Sequence, residues 1–191
     1  MRFKEAFDPG DNPQFLSYLP LSHIAERQLV GGCSVIYCGK VNFVENMTTL
    51  FRDLVDTQPN FFFGPPRVWE QIQQVIIGQF GSQADLDKAL ANNREGTGQQ
   101  VRDLLGMDNA RYLLTAAAPT PPALITWFGE LGLILMEGFG QTEAMGLIAN
   151  NHGARKIGSI GRAVTGVEVR ISKEGELQVK SDGFSPGYYK Q

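Results

Sequence analysis

The sequence predicts an α/β fold: a mixed or parallel sheet with covering helices, followed by a small β-rich C-terminal region. Short apolar runs alternate with segments of helical periodicity over residues 1–156, an order typical of strands joined by covering helices. From residue 157 onward, strand-length segments are separated by glycine-containing turns. We therefore expect an α/β part at residues 1–156 and the start of a β-rich subdomain at residues 157–191.

The composition is that of a globular chain and argues against several classes of protein. Of the 191 residues, 42% are hydrophobic and 19% are charged, which is unlike a disordered chain. The net charge of −3 gives no electrostatic basis for binding nucleic acid. No apolar run approaches the roughly 20 residues that span a bilayer, and the first residues lack an apolar signal core. We expect a cytoplasmic location, with free thiols at Cys33 and Cys38.

The first half of the chain contains three predicted strands and three predicted helices. Apolar runs of strand length predict strands over residues 15–19, 34–38 and 61–63. Apolar residues spaced three or four apart predict helices over residues 46–57 and 67–77. An earlier helix, with Ser22 as its cap, is expected to end at Gly31 and Gly32, because glycine is a poor helix former.

The second half continues the alternation after a polar interruption. Residues 78–98 contain paired asparagines and several glycines, which predicts a mobile connection with a short helix over residues 85–91. Further helices are predicted over residues 99–105 and 123–131, with a strand over residues 112–116 between them. Near the end of the chain, the alternating apolar residues Val167, Val169 and Ile171 predict a strand that turns at Glu174 and Gly175 and pairs back.

The stretch from residue 133 to residue 143 contains the strongest candidate for a site. An apolar run predicts a buried strand, and two glycines flanking Phe139 predict a loop after it, where backbone N–H groups can approach a ligand. Phe139 offers a flat face to a nucleobase, the Thr142 hydroxyl suits a phosphate, and Glu143 suits Mg²⁺. The same residues also fit a strand, a glycine turn and a helix capped by Thr142.

Residues 138–143, Gly-Phe-Gly-Gln-Thr-Glu, resemble the Gly-Tyr-Gly-x-Thr-Glu motif of the adenylate-forming (AMP-forming) acyl-CoA synthetase family. Other stretches match the same family in the same order, namely residues 19–23, 63–70, 114–119 and 158–162. Residues 24–27, which continue the first of these, and residues 63–70 are similar to the long-chain fatty acid–CoA ligase branch. The resemblance extends from about residue 15 to residue 191.

The resemblance implies part of the large N-terminal domain of such a ligase, with ATP, Mg²⁺ and coenzyme A as cofactor and co-substrates. A long-chain fatty acid would be converted to an acyl-adenylate and then to acyl-CoA. Three residues would be catalytic: His23 beside the carboxylate, Thr142 at phosphate and Glu143 at Mg²⁺. The nucleotide would lie against Ala116, Ala117, Ala118, Gly138, Phe139, Gly140, Gln141 and Thr142.

The sequence departs from the family pattern in ways that leave alternatives open. Phe139 replaces the usual tyrosine, and alanine replaces a usual glycine within residues 116–118. The phosphate loop, a ribose-binding aspartate and the C-terminal catalytic lysine have no counterpart in the 191 residues. We therefore expect an incomplete chain with little activity by itself, whose partners are flanking segments of the same enzyme and, for the whole enzyme, a membrane surface contacted peripherally.

Three other interpretations remain open at this point. The chain is also compatible with a fatty acyl-AMP ligase or another adenylation domain, with a catalytically inactive fragment, and with an unrelated α/β interaction domain. Locally, His23 also fits a helix-start residue whose ring is hydrogen-bonded nearby, and Ala116–Ala118 also fit a packing site for small residues. His152 matches no catalytic position of the family and is expected at the surface.

Overall fold

The computed structural model describes residues 7–150 and 156–190, so that His152 lies outside the described residues. The large sheet contains β1 Gln14–Ser17, β2 Lys40–Phe43, β3 Phe61–Gly64, β4 Tyr112–Thr115, β5 Leu135–Gln141, β6 Gly146–Asn150 and β7 Arg162–Ala163. A separate hairpin contains β8 Glu168–Ile171 and β9 Leu177–Lys180. The helices are a π-helix Glu26–Gly32, α1 Cys33–Tyr37, α2 Leu50–Thr57, α3 Pro66–Phe80, α4 Gln83–Asn92, α5 Arg94–Leu105 and α6 Pro122–Glu130.

The seven strands of the large sheet follow the order β2-β1-β3-β4-β5-β6-β7. Strands β1 to β5 pair in parallel, whereas β6 and β7 pair antiparallel at one edge. All residues of β3 and β4 are buried, as expected for central strands covered on both faces. The predicted α/β fold with a mixed sheet and covering helices is confirmed.

Two apolar clusters lie on the opposite faces of the sheet. Because successive side chains of a strand point to opposite faces, Phe62 belongs to one cluster while Phe61 and Phe63 belong to the other. Helices α2 to α6 contribute to the first cluster, and the π-helix and α1 contribute to the second. This two-sided burial explains why the strand sequences are almost continuously apolar.

The prediction for residues 31–38 was wrong. The helix does not end at Gly31 and Gly32; the π-helix continues into α1, and the next strand, β2, begins at Lys40. Leu29, Val30 and Cys33 are buried together on this helical segment. Their packing outweighs the cost of about 1 kcal/mol for each helical glycine.

The polar stretch at residues 78–98 is helical rather than a mobile connection. The Ser82 hydroxyl caps α4 by accepting from the Asp85 amide at 3.2 Å, and Asn93 caps α5 by accepting from the Gly96 amide at 3.0 Å. Both helices bury apolar side chains in the core. Helix α5 therefore begins earlier than the predicted residue 99. Gly98 is needed within it because a Cβ atom there would lie 2.9 Å from the Leu131 carbonyl oxygen.

The β-rich ending of the chain contains the predicted hairpin. Strands β8 and β9 pair antiparallel, with Glu168 opposite Lys180 and Ile171 opposite Leu177. The other short strand of this region, β7, joins the edge of the large sheet instead. Within residues 7–150 and 156–190, no helix has the length and apolar character needed to cross a membrane.

Candidate functional site

The segment Gly138–Gln141 belongs to a strand, so the predicted loop after a short strand was wrong. Strand β5 continues to Gln141 and pairs antiparallel with β6, with a bulge between Phe139 and Gly140. A Cβ atom on Gly140 would lie 2.2 Å from the Gly146 carbonyl oxygen. Gly140 is thus required by the close approach of two backbones at the bulge.

A short 3-10 helix, Thr142–Ala144, connects β5 to β6. Ala144 is buried in a small cluster with Ile148 and Ala149, which anchors the turn to the sheet. Thr142 is exposed and Glu143 is partly exposed. The turn therefore presents a hydroxyl and a carboxylate to solvent from a fixed backbone.

One apolar cavity lies between the helical segment that follows β1 and strands β3 to β6. The predicted site residues that line it are His23, Ala116, Ala117, Phe139 and Gly140. Leu29, Phe63 and Leu114 supply much of its apolar wall, and Gln28 is a further polar side chain there. An apolar hollow with one imidazole at its wall suits an acid whose acyl part is apolar.

A second cavity adjoins the first and shares Ala117, Phe139 and Gly140 with it. The other predicted residues that line it are Ala118 and Gly138. Its wall also contains Glu137, whose carboxylate accepts a hydrogen bond from the Gly158 amide at 3.0 Å. The aromatic ring and the small residues predicted to hold an adenine are therefore brought together.

Ala117 lines both cavities in an unusual backbone conformation. Its φ angle is +72°, in the left-handed region that costs an alanine about 1–2 kcal/mol relative to glycine. The chain here leaves β4, and the Thr115 and Thr120 hydroxyls are 2.8 Å apart across the turn. An alanine thus adopts here a left-handed backbone conformation that glycine adopts more readily.

The His23 ring is held by a hydrogen bond from the backbone two residues further along the chain. Its Nδ1 atom accepts a hydrogen bond from the Ala25 amide at 3.1 Å. In the neutral imidazole the proton therefore resides on Nε2, because one ring nitrogen accepts and the other donates. One ring nitrogen is therefore satisfied locally, as in a helix-start residue, and the ring also lines the apolar cavity. The role of His23 at a carboxylate stays a prediction.

Glu26 is a buried carboxylate close to His23 that the sequence analysis did not select. Only 2% of its surface is exposed, and its Oε1 atom has no hydrogen-bond partner among the described residues. Burial raises the pKa of Glu26, and this is partly opposed by hydrogen bonding from the Ser17 side chain and the Leu19 backbone and by His23. The signal in the sequence was a glutamate in register with Leu29, Val30 and Cys33.

Ionisation of the buried Glu26 should lower the stability of the wild type as pH rises, and replacing Glu26 with glutamine is expected to remove this decrease. A raised native pKa means that folding favours the protonated acid, so stability is fully present below about pH 4.5 and falls as pH rises through the native pKa. The Glu26→Gln variant should match the wild type near pH 4 and be more stable above the native pKa. Urea unfolding at a series of pH values measures this, with exposed Glu70→Gln as the control. If the unfolding free energy of the wild type and of Glu26→Gln depended on pH in the same way, the prediction would be contradicted.

Three of the predicted residues lie outside both cavities. Within the described part of the chain, Gln141, Thr142 and Glu143 are not among the residues that line either of them. Glu143 instead accepts a hydrogen bond from the Tyr188 hydroxyl at 2.5 Å, which lowers the pKa of Glu143. The chain thus places the phosphate and metal candidates on the turn beside the cavities, not in them.

The described residues suit Mg²⁺ only if substrate phosphates and water complete its coordination. No group of three or more His, Cys, Asp or Glu side chains within residues 7–150 and 156–190 could hold a metal. Mg²⁺ is commonly bound by one or two carboxylates together with substrate phosphates and water. The partly exposed carboxylate of Glu143, with the Thr142 hydroxyl beside it, suits that mode.

A comparison with protein families shows which family this chain belongs to. Residues 1–189 match the family described as AMP-binding enzyme. The chain belongs to this family. The AMP-forming relationship expected from Gly138–Glu143 is therefore confirmed, and the order of the matching stretches is explained.

Similar proteins include both reductases and ligases. The chain is 31% identical to a carboxylic acid reductase of Mycobacterium marinum, covering 97% of this chain and 16% of that protein. It is 26% identical to the long-chain fatty acid–CoA ligase heimdall of Drosophila melanogaster, covering 91% of this chain and 31% of that protein. The chain thus spans less than a third of the length of these relatives. They establish the AMP-binding family without deciding which acid is activated.

Solved structures of adenylate-forming enzymes share the fold. One is the A domain of the carboxylic acid reductase of Segniliparus rugosus, in complex with AMP and a co-purified carboxylic acid; its TM-score is 0.69 at 25% identity over 93% of this chain and 29% of that one. Another is the o-succinylbenzoate coenzyme A synthetase of Bacillus subtilis, in complex with ATP and magnesium; its TM-score is 0.65 at 18% identity over 95% of this chain and 35% of that one. The second likeness concerns the fold alone.

Proposed function

We propose that the chain is part of an enzyme that activates a long-chain fatty acid with ATP and transfers it to coenzyme A. The observation that carries this proposal is the pair of adjoining cavities, which share Phe139 and place His23 in the apolar one. The acyl group would lie in the apolar cavity and the adenine in the other. Residues 157–191 would begin a β-rich subdomain of the same enzyme.

In the first reaction, a carboxylate oxygen attacks the α-phosphorus of ATP, and the bond to the leaving pyrophosphate breaks. The Nε2–H of His23 would donate to the carboxylate and orient it at the mouth of the apolar cavity. Thr142 would donate to a phosphate oxygen from the exposed turn. A Mg²⁺ ion held by Glu143 and the phosphates would supply charge neutralisation.

In the second reaction, the sulfur of coenzyme A attacks the acyl carbon, AMP leaves, and the thiol gives up its proton. Fatty acids are supported as substrates by the relationship to the Drosophila ligase and by the resemblance of residues 24–27 and 63–70 to the long-chain branch. The apolar lining of Leu29, Phe63 and Leu114 suits an apolar acyl group.

A second candidate is the acid-activating part of a carboxylic acid reductase. The 31% identity to the Mycobacterium marinum protein, over 97% of this chain, favours it. The adenylation step would use the same residues, so the two candidates differ in the acceptor that takes the acyl group. Discharge of a preformed acyl-adenylate by coenzyme A, in the enzyme that contains this chain, separates them.

Replacing Glu143 with glutamine is expected to weaken Mg²⁺-dependent ATP binding at least about tenfold, since one carboxylate ligand is lost. Isothermal titration of the 191-residue chain with ATP, in Mg²⁺ and in EDTA, measures this directly without requiring turnover. Exposed Glu174, at the turn of the β8–β9 hairpin, provides the control as Glu174→Gln. Equal ATP affinity in the wild type and Glu143→Gln with Mg²⁺ would refute the assignment of Glu143.

A further inference from the structure

The segment after β9 is docked onto the 3-10 turn that contains Glu143. The Ser185 amide donates to the Glu143 carbonyl oxygen at 2.7 Å. Phe184 packs against the small cluster of Ala144, Ile148 and Ala149 beneath the turn. These contacts join two parts of the chain that are distant in sequence. Through them, the segment after β9 holds the backbone of the turn.

The same segment also reaches the Glu143 side chain. The Tyr188 hydroxyl donates to Oε1 of Glu143 at 2.5 Å, although the two residues are 45 positions apart. Such a short O–H···O contact to an ionised carboxylate is among the stronger hydrogen bonds of proteins. It fixes one carboxylate oxygen, and the carboxylate also accepts a hydrogen bond from the Glu143 backbone.

We propose that Tyr188 is a positioning residue for Glu143, which fixes the carboxylate on the turn in an orientation that suits a phosphate-bound divalent cation. This rests on the proposed function of Glu143. A partly exposed glutamate samples several rotamers, and ordering it on binding weakens affinity. The backbone contact from Ser185 and the phenol contact from Tyr188 together order it before the cation arrives.

Tyr188 suits this role because it contributes little to the core. Its side chain is 58% exposed, so removing the hydroxyl leaves the packing of the sheet unchanged. Tyr189 beside it is 90% exposed, and its ring lies near the Lys190 ammonium group rather than near Glu143. The pair of tyrosines therefore provides a test variant and a matched control.

The test is a Mg²⁺ titration of ATP binding to the full 191-residue chain, with thermal unfolding measured alongside. Tyr188→Phe is expected to raise the Mg²⁺ concentration for half-maximal binding about three- to tenfold, as for one side chain that must be newly ordered. Its melting temperature, and its ATP affinity in EDTA, should equal those of the wild type. Tyr189→Phe should leave all three quantities unchanged.

A double-mutant cycle separates this inference from the function on which it rests. In the Glu143→Gln background, Tyr188→Phe should have no further effect on the Mg²⁺ requirement. If Glu143→Gln weakens Mg²⁺-dependent binding while Tyr188→Phe behaves as the wild type, the positioning role is refuted and the metal role stands. If Glu143→Gln itself leaves the Mg²⁺ requirement unchanged, the proposed metal role fails first. A Tyr188→Phe effect that persists in the Glu143→Gln background also overturns the inference.

Discussion

Replacing Gly140 with alanine is expected to destabilise the chain by about 3 kcal/mol. The added Cβ atom would lie 2.2 Å from the carbonyl oxygen of Gly146 and 2.7 Å from its carbonyl carbon. Both are backbone atoms at the start of β6, so relief requires the β5–β6 pairing to open at the bulge. Since Gly140 lines both cavities, ATP binding should be lost as well. Urea unfolding followed by circular dichroism measures the stability.

Gly78 provides the matched control for this substitution. It lies in α3 and is exposed, and a Cβ atom there would meet nothing within 4 Å. Gly78→Ala should therefore stabilise the chain by about 0.5–1 kcal/mol, because alanine is the better helix former. If the two variants changed the unfolding free energy in the same direction, the close backbone approach at Gly140 would not be what requires glycine.

Replacing Trp69 with alanine is expected to cost about 3–5 kcal/mol, the range found when a large buried aromatic side chain is deleted. Trp69 is fully buried, and its ring meets Phe62 and Phe128 edge-on at centroid distances of 5.4 and 5.2 Å. Its indole N–H also donates to the Leu114 carbonyl oxygen at 3.3 Å. Deleting the ring would leave a cavity and remove a hydrogen bond to Leu114, a residue that lines the apolar cavity.

The chain contains two tryptophans, and the second serves as the comparison. Trp127 is only partly buried, and its indole N–H bonds to the Gln83 side chain at 3.0 Å. Trp127→Ala should cost about 1 kcal/mol. Each variant leaves one tryptophan, so fluorescence during urea unfolding follows both transitions. Equal losses from the two substitutions would show that Trp69 is not central to the packing of α3 against the sheet.

The sequence analysis succeeded where a structure is specified by neighbouring residues. Strands β3 and β4 were predicted from apolar runs, and the β8–β9 hairpin was predicted from alternation around Gly175. In both cases the period of the side chains along the backbone is enough to choose the element. The motif at residues 138–143 likewise identified the family, because a motif is a local property.

Within the candidate site, the folded chain brings some of the selected residues together and leaves others apart. His23, Ala117 and Phe139 were expected around one site, and the folded chain brings them to a common cavity. Glu26 was missed, because its only signal in the sequence is its register with the apolar residues Leu29, Val30 and Cys33 on one helical face. The roles of Thr142 and Glu143 stay predictions, since these residues lie on the turn beside the cavities.

The sequence by itself determined the alternation of strands and helices, the family, and the set of residue types that could bind a nucleotide. Only the tertiary structure decided that the helix continues through Gly31 and Gly32, that β5 extends through Phe139, and that Tyr188 reaches Glu143. The physical reason is the range of the interactions. Periodicity and turn chemistry act over a few residues, whereas these three outcomes depend on packing and backbone pairing between segments that are far apart in the chain.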